Sequence, residues 1–229
     1  MNQQPTEKPV HDISGDLDVH SIFLTIQGEG PFTGQRAVFV RLAGCNLQCP
    51  GCDTDYTSVR NFLAVSGVMA LVDRAAKDAF GHLVVITGGE PFRQNLRPFI
   101  DTLLYYGYRV QIETNGTLWQ DLPFSKITVV CSPKTGSINK KLLPHIAALK
   151  YVVHADSKAA DGLPIQALRH QATPALARPP KGFSGIIYIQ PTDEMDAAKN
   201  QSHLKEAIHS VFEHGYTLCL QTHKIIEVD

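Results

Sequence analysis

GCNLQCPGCDTDY, residues 44–56, decides the fold, because it holds three of the five cysteines of the chain. Cys45, Cys49 and Cys52 follow a Cys-x3-Cys-x2-Cys spacing, and no fourth cysteine lies nearby. Structural zinc sites are usually closed by four protein ligands, so this set leaves one position open. Three thiolates from one loop can hold three corners of a four-iron cluster and leave the fourth iron free to bind a ligand. The loop therefore favours an open iron–sulfur site, with a non-catalytic zinc module as the alternative.

The rest of the composition is that of an ordinary globular enzyme. Among the 229 residues, 21 are basic and 22 acidic, which gives no electrostatic footprint for nucleic acid or an anionic membrane. The N-terminal residues lack the regions of a signal peptide, and no apolar run approaches the ~20 residues of a membrane span. We therefore expect a cytoplasmic protein whose thiols stay reduced and whose partner is a small molecule. Cys131 and Cys219 lie in apolar runs and are expected to be buried packing residues.

Short apolar runs alternate with helical faces along the chain. Most of the runs are apolar on both faces, which is typical of strands buried on both sides. The seven candidate strands are residues 37–41, 83–87, 110–113, 127–131, 151–154, 186–190 and 218–221. Helical faces lie at residues 68–79, 96–103 and 204–211, and Gly215 is a suitable C-cap for the last. This alternation predicts right-handed crossovers and a parallel sheet. A complete eight-stranded barrel takes ~250 residues, so we predict an α/β fold with an incomplete, partly open (β/α) barrel.

The chain is expected to form one domain over residues 19–229. Residues 1–18 are polar and predict a poorly ordered tail. Residues 155–184 include the proline-rich TPALARPPKGFSG and predict an insertion or long loop with little regular structure.

Polar signatures follow the candidate strands. They are GGEP after LVVIT, TNGT after VQIE, SPKTG after ITVVC, QPTD after IIYI, and QTHK after LCL. Because the carboxyl ends of parallel strands meet at one edge, these groups should surround one mouth, where α/β enzymes place their sites. Taken singly, GGEP and SPK could be ordinary turns.

Cys-x3-Cys-x2-Cys followed by GGEP in this strand order resembles the radical S-adenosylmethionine (SAM) superfamily. Within it, the segments TIQGEGPFTGQ (25–35), FVRLAGCNLQCPGCDT (39–54), ITGGEP, ETNGT, SPK, QP and LQTHK together resemble the 7-carboxy-7-deazaguanine synthase family of the queuosine pathway. The resemblance spans nearly the whole chain and departs mainly in the N-terminal tail and residues 155–184. A radical SAM activase that makes a glycyl radical on a partner protein is the alternative within the class.

The resemblance implies the cofactors and the activity. A [4Fe-4S] cluster held by Cys45, Cys49 and Cys52 would bind SAM and split it to a 5′-deoxyadenosyl radical, with Mg²⁺ as a further cofactor and SAM regenerated. The substrate would be 6-carboxy-5,6,7,8-tetrahydropterin, converted to 7-carboxy-7-deazaguanine with loss of ammonia. The resemblance also implies a homodimer and an electron donor such as flavodoxin. No protein group beyond the cluster and SAM is expected to be catalytic.

The resemblance also assigns the binding residues. The SAM site would comprise Gly51, Cys52, Asp53, Gly89, Glu90, Ser132, Pro133, Lys134 and Gln190. The substrate site would comprise Ile26, Gln27, Gly28, Glu29, Arg41, Thr87, His223 and Asp229, the last through a terminal carboxylate. Thr54 would be the magnesium ligand.

Elementary chemistry agrees with several of these roles. A pterin presents an amide and a guanidine-like edge that suit Gln27 and Glu29, and a carboxylate that suits Arg41. Mg²⁺ takes oxygen ligands, often only one or two from the protein, which suits Thr54. Arg41 could instead form a structural ion pair, Thr54 could cap a helix, and the C-terminal residues could be a frayed tail.

Overall fold

The computed structural model describes residues 2–10, 13–77, 82–170 and 175–228, and its strands form one nine-stranded sheet. The strands are β1 (Leu17–Ile26), β2 (Arg36–Leu42), β3 (Asn61–Leu63), β4 (Leu83–Gly88), β5 (Arg109–Thr114), β6 (Ile127–Cys131), β7 (Ile146–Val153), β8 (Ile186–Pro191) and β9 (Thr217–Leu218). Their order in the sheet is β3-β1-β2-β4-β5-β6-β7-β8-β9.

Seven strands, from β2 and β4 to β9, are parallel. Each overlaps one of the apolar runs identified in the sequence, although β7 begins earlier, at Ile146, and ends at Val153, and β9 shares only Leu218 with its run. The two ends of the sheet, β3 and β9, do not pair with each other in the described residues. The prediction of a partly open α/β barrel is confirmed.

Two antiparallel strands extend the sheet beyond β2, and the sequence patterns did not predict them. In β1, residues such as His20 and Ser21 interrupt the apolar run, so the segment does not read as a buried strand. It pairs with β2 so that Ile26 lies opposite Arg36, and it pairs with the short β3 on its other side. The residues after β1 therefore begin beside the amino end of β2.

Helices α1 (Val65–Ala76), α2 (Arg97–Tyr105) and α3 (Ala197–His214) contribute to the main core on one face of the sheet. The short α4 (Thr222–Ile225) follows β9 and lies beside the cavity on the other face. The three predicted helical faces lie in α1, α2 and α3, although residues 78–81 are outside the described residues. As predicted, Gly215 is the C-cap of α3, with a φ of 71°. The crossovers from β5 to β8 differ from the expected alternation, because their described residues contain 3-10 turns and loops but no α-helix. These connections contain Pro133, Pro144 and the proline-rich residues of 155–184, and proline is unfavourable inside a helix.

The two faces of the sheet differ in chemistry, because successive residues of a strand point to opposite sides. Towards the helices, Ile86, Leu149 and Tyr151 join the main core cluster and are fully buried. On the opposite, concave face, Lys150 and Gln190 are also buried, and they line a cavity. The polar interior is thus the inner face of the open barrel.

Residues 2–10 differ from the poorly ordered tail expected for residues 1–18. The amide of Asn2 donates to the carbonyl of Pro50 (2.9 Å), and the amide of Glu7 donates to the carbonyl of Cys45 (2.7 Å). The ordered sheet begins at Leu17, which is fully buried. These contacts join residues distant in sequence, so composition alone did not indicate them. Treating residues 19–229 as one domain remains an interpretation, to which β1 adds Leu17 and Asp18.

Between β7 and β8, the described residues of 155–184 form no helix or strand and contain two isolated β-bridges. Residues 171–174 of this segment lie outside the described part of the chain. None of the helices in the described residues combines the length and apolar character required to cross a membrane.

Candidate active site

A cavity of about 500 Å³ occupies the inner face of the sheet. This volume falls in the range of small-molecule sites. The predicted site residues that line it are Ile26, Gln27, Glu29, Arg41, Cys45, Cys49, Gly51, Cys52, Asp53, Thr54, Thr87, Gly89, Ser132, Lys134, Gln190 and His223. Gly28, Glu90 and Pro133 are not among its lining residues, and Asp229 lies outside the described residues.

The cysteine loop leaves β2 and closes one side of the cavity. The amide of Gly44 donates to the carbonyl of Tyr56 (2.8 Å), so the two ends of the loop are tied together. Cys45 and Cys49 are buried and Cys52 is half-buried. Burial raises the pKa of Cys45 to about 12 and that of Cys49 to about 11, so these thiols need a strong Lewis acid to deprotonate them.

The spacing of the three thiols suits a cluster better than a single ion. Among the described residues, the one group whose three ligand atoms all lie within 4.8 Å of one another is His154, Glu194 and His203. The three cysteines face one cavity, but their sulfur atoms do not all lie within this distance of one another. In the histidine group, Nδ1 of His203 accepts a hydrogen bond from the amide of Ala155 (3.0 Å), so the ring proton of His203 is on Nε2. The donor set of three soft thiols fits an iron–sulfur cluster with one open iron.

The GGEP turn after β4 packs directly against the cysteine loop. A Cβ on Gly89 would lie 2.0 Å from the carbonyl oxygen of Gly44, so only glycine allows this approach. Glu90, expected in the SAM site, is not among the residues that line the cavity. It is fully buried and accepts hydrogen bonds from the hydroxyl of Thr114 (2.7 Å) and from the amides of Asn115 (2.7 Å) and Phe92 (3.0 Å). Its carboxylate thus joins the ends of β4 and β5.

The SPK segment after β6 brings a cation to the same cavity. Lys134 donates through Nζ to the carbonyl of Ser132 (2.9 Å) and to its hydroxyl (2.5 Å). Burial lowers the pKa of Lys134, and the nearby Cys49 acts in the opposite direction. Pro133 is buried and does not line the cavity. The charge of Lys134 and the polar groups of Ser132 suit the ribose and carboxylate of a nucleoside amino acid.

A charged cluster forms the floor of the cavity. The Nζ of Lys150 forms ion pairs with Glu29 and, at 3.2 Å, with Glu113. The side chain of Gln221 donates to Glu29 (2.9 Å), and Gln27 donates to Glu113 (3.1 Å). Burial alone would raise the pKa of Glu29, but the charge and hydrogen bond of Lys150, the hydrogen bond of Gln221 and the nearby His223 together outweigh it, and the pKa falls to about 2. Glu29 is therefore ionised throughout the physiological pH range.

Arg41 lies at the other side of the cavity. Its guanidinium carbon is 5.5 Å from the centre of the Phe23 ring, a cation–π distance. Its Nε is buried and has no hydrogen-bond partner in the described residues. A half-buried guanidinium with a buried, unused donor has the chemistry to bind a carboxylate in the cavity.

The C-terminal THK segment docks against the residues that follow β1. The amide and the hydroxyl of Thr222 both donate to the carbonyl of Gly28, each at 3.1 Å. A Cβ on Gly28 would lie 1.9 Å from Nδ1 of His223, so glycine is required here for close approach. Burial lowers the pKa of His223, which favours the neutral ring. Gly28 therefore supports His223 from outside the cavity.

The CDT residues form the remaining edge of the cavity. Thr54 is half-buried, and its carbonyl accepts a hydrogen bond from Gln4 (2.9 Å). Asp53 accepts a hydrogen bond from Lys224 (3.2 Å), which links this edge to α4. A threonine hydroxyl beside a carboxylate offers the oxygen donors that Mg²⁺ prefers.

Sequence reasoning did not identify Lys150, Glu113 or Gln221 as site residues. A signal for Lys150 was present, since a lysine within the apolar run ALKYVV must either be paired or face a polar interior. Glu113 and Gln221 are the last residues of candidate strands. They therefore lie at the same edge of the sheet as the polar signatures and could have been predicted as site residues on that ground.

An open, mostly parallel α/β sheet with three thiols in the loop after a strand and a polar cavity beside them defines a radical SAM enzyme. The chain matches a family model described as a 4Fe-4S single cluster domain over residues 26–145. A 7-carboxy-7-deazaguanine synthase from Rhodospirillum rubrum is 42% identical over 236 residues, covering 100% of this chain and 99% of the relative. A protein of the same name from Rickettsia prowazekii is 36% identical over 230 residues, covering 95% and 92% respectively.

The chain therefore belongs to the 7-carboxy-7-deazaguanine synthase family, as its motifs predicted. The crystal structure of QueE from Escherichia coli is similar, with a TM-score of 0.67 and 22% identity over 90% of this chain and 93% of that chain, and shows the same fold. As a radical SAM enzyme, the protein uses a [4Fe-4S] cluster and SAM.

Proposed function

We propose that this protein converts 6-carboxy-5,6,7,8-tetrahydropterin to 7-carboxy-7-deazaguanine with release of ammonia, in the biosynthesis of queuosine. The observation that carries this proposal is that the three thiols, Glu29 and Arg41 all face one cavity of about 500 Å³. An unpaired guanidinium donor and a buried carboxylate at separate positions match the acid and the guanidine-like edge of a carboxypterin. The names of the relatives point to the same product.

The cysteine loop and the strand ends would hold the cofactors. Cys45, Cys49 and Cys52 would hold the cluster, which together with SAM supplies the one-electron chemistry when bound. Gly51, Asp53, Gly89, Lys134 and Gln190, together with the backbone and hydroxyl of Ser132, would line the SAM site. Glu90 and Pro133 would support this site from beneath.

The floor and the far side of the cavity would bind the pterin. Gln27 and Glu29 would face its amide and guanidine-like edge, and Arg41 would bind its carboxylate. Ile26, Thr87 and His223 would complete the enclosure, with Gly28 supporting His223 and Asp229 adding a carboxylate. Thr54 would supply an oxygen ligand to Mg²⁺, which would also take the carboxylate of the substrate.

A wider cavity without such polar anchors would favour an activase that acts on a partner protein. The floor of this cavity instead contains Lys150 in contact with both Glu29 and Glu113, which suits a small polar ring. We also propose a homodimer, a reductant such as flavodoxin and a cytoplasmic location. The location is supported by the five free thiols of the chain, which a reducing compartment would preserve.

An anaerobic turnover assay tests the proposed function. Reconstituted protein should be brown, contain about four irons per chain and form 7-carboxy-7-deazaguanine from the carboxypterin when SAM, Mg²⁺ and dithionite are present. Cys49→Ala should lose colour and product. Cys131→Ala should keep both, because the thiol of Cys131 is fully buried and is not among the residues that line the cavity.

Two outcomes would contradict the proposal in different ways. Colourless, zinc-loaded wild-type protein would support the alternative of a non-catalytic zinc module. Iron-loaded protein that cleaves SAM but leaves the carboxypterin unchanged would retain the class and exclude the substrate.

A further inference from the structure

The N-terminal residues 2–10 hold the cysteine loop from outside the cavity. The side-chain amide of Asn2 donates to the carbonyl of Cys49 (3.2 Å), and Thr6 forms a parallel β-bridge with Cys45. The side chain of Gln48 donates back to the carbonyl of Gln4 (2.8 Å). Residues 2–10 therefore run alongside the cysteine loop that lines the cavity, although the two segments lie far apart in the sequence.

Gln4 makes the most specific of these contacts. Its Oε1 accepts the amide of Tyr56 (2.7 Å) and the hydroxyl of Thr57 (3.0 Å). Its Nε2 donates to the carbonyl of Thr54 (2.9 Å) and to the side-chain oxygen of Asn2 (3.1 Å). The two donor and two acceptor sites of the amide are thus all used.

The chemistry of this arrangement requires a primary amide. One end of the group must accept an N–H while the other donates to a C=O, in the manner of a backbone peptide. A carboxylate would place an acceptor against the carbonyl of Thr54, and an aliphatic side chain would leave both loop groups without their partner. The contacts fix the peptide groups on both sides of Asp55. The side chain of Thr54 is consequently held on the edge of the cavity.

We propose that Gln4 is a positioning residue that orients Thr54 towards the metal-binding edge of the cavity. This inference rests on the proposed function, in which Thr54 is a magnesium ligand. Gln4 is not among the residues that line the cavity, so it would act on the site through the cysteine loop. It would act by restricting the backbone of residues 54–57, so that little entropy is lost when the threonine oxygen binds a cation.

Two measurements on the reconstituted holoenzyme test the proposal, with Gln4→Ala, Gln4→Glu and the exposed neighbour variant Gln3→Ala as a matched control. The first is hydrogen–deuterium exchange of residues 54–58, which does not depend on turnover. Both Gln4 variants should speed exchange at the Tyr56 amide about tenfold or more, because its acceptor is lost or repositioned. Gln3→Ala should leave that exchange unchanged.

The second measurement is the Mg²⁺ concentration that gives half-maximal turnover. It should rise about tenfold in Gln4→Ala, with kcat at saturating Mg²⁺ and iron content near those of the wild type, since loss of neutral hydrogen bonds has effects of this order. Unchanged exchange, or faster exchange with an unchanged Mg²⁺ requirement, would overturn the proposal. A wild-type enzyme that turns over without responding to Mg²⁺ would instead refute the magnesium assignment of Thr54, and the positioning role would fall with it.

Discussion

At the residue scale, the floor of the cavity depends on one lysine between two carboxylates. Lys150 contacts both Glu29 and Glu113 and is almost completely buried. Removing one member of a buried charged group is costly because the other charges lose their compensation. Here the uncompensated groups would be the two carboxylates, one of which we propose to bind the substrate.

Replacing Lys150 with methionine should therefore change the pH dependence of the enzyme. In the wild type the pKa of Glu29 is about 2, so Glu29 is ionised well below neutral pH. Without Lys150, burial and the neighbouring Glu113 both favour the protonated form, and the pKa of Glu29 should rise above its ordinary value. The acid limb of the profile of kcat/KM against pH should move upward by at least about one unit.

Lys141→Met provides the control, because Lys141 is exposed and stacks over Trp119 outside the cavity. Its profile should match that of the wild type. An acid limb that stays in place in Lys150→Met would show that ionisation of Glu29 is not required for substrate binding.

At the element scale, the site depends on contacts between segments from opposite ends of the chain. The residues after β1 meet α4 through Gly28, and both reach the charged floor, where Gln221 and Glu29 are hydrogen-bonded. Gly28, the first glycine of the motif QGEG, is therefore required for packing, independently of any contact with a ligand. This reason is visible only when the C-terminal segment is in place.

Gly28→Ala should displace His223, because the new Cβ would lie 1.9 Å from the ring nitrogen. We expect KM for the carboxypterin to rise about tenfold or more, with iron content and SAM binding unchanged, since the cysteine loop is elsewhere. The measurement is steady-state kinetics together with iron analysis. Wild-type KM in this variant would indicate that the position of His223 is unimportant for the substrate.

A matched control is Gly67→Ala in α1, where the new Cβ would meet only Leu63, at an ordinary 3.8 Å. It should keep wild-type kinetics and raise the unfolding free energy by about 0.5–1 kcal/mol, because glycine within a helix is less favourable than alanine.

At the scale of the whole molecule, the sequence predicted the parallel sheet because β4 and β6 are apolar on both faces and can be recognised locally. It did not predict β1, whose burial depends on pairing with both β2 and β3. The same distinction applies to the site. The cysteine spacing is local and was recognised at once, whereas the contacts of Lys150 and Gln4 join residues that only the tertiary fold brings together.

Stability should be distributed accordingly across the sheet. Ile86, in the interior strand β4, is fully buried, and Ile86→Ala should lower the unfolding free energy by about 2–5 kcal/mol through the cavity that it creates. Phe62, in β3, has 76% of its surface exposed. Phe62→Lys should change the unfolding free energy by less than about 0.5 kcal/mol. Guanidinium unfolding measures the loss of unfolding free energy in both variants. Similar losses would mean that Phe62 at the edge contributes as much to stability as Ile86 in the core.

The shortness of the outer strand β3 has a consequence for behaviour in concentrated solution. A sheet grows by recruiting a further chain onto unpaired amides, and long bare edges invite fibres and exchange of strands between molecules. Here β3 has three residues and covers only Leu17–Val19 of the ten-residue β1, so residues 20–26 of β1 have no strand partner on that side in the described residues. We therefore expect this uncovered length of β1, away from the mouth of the open barrel, to be the margin onto which a further chain would add at high concentration.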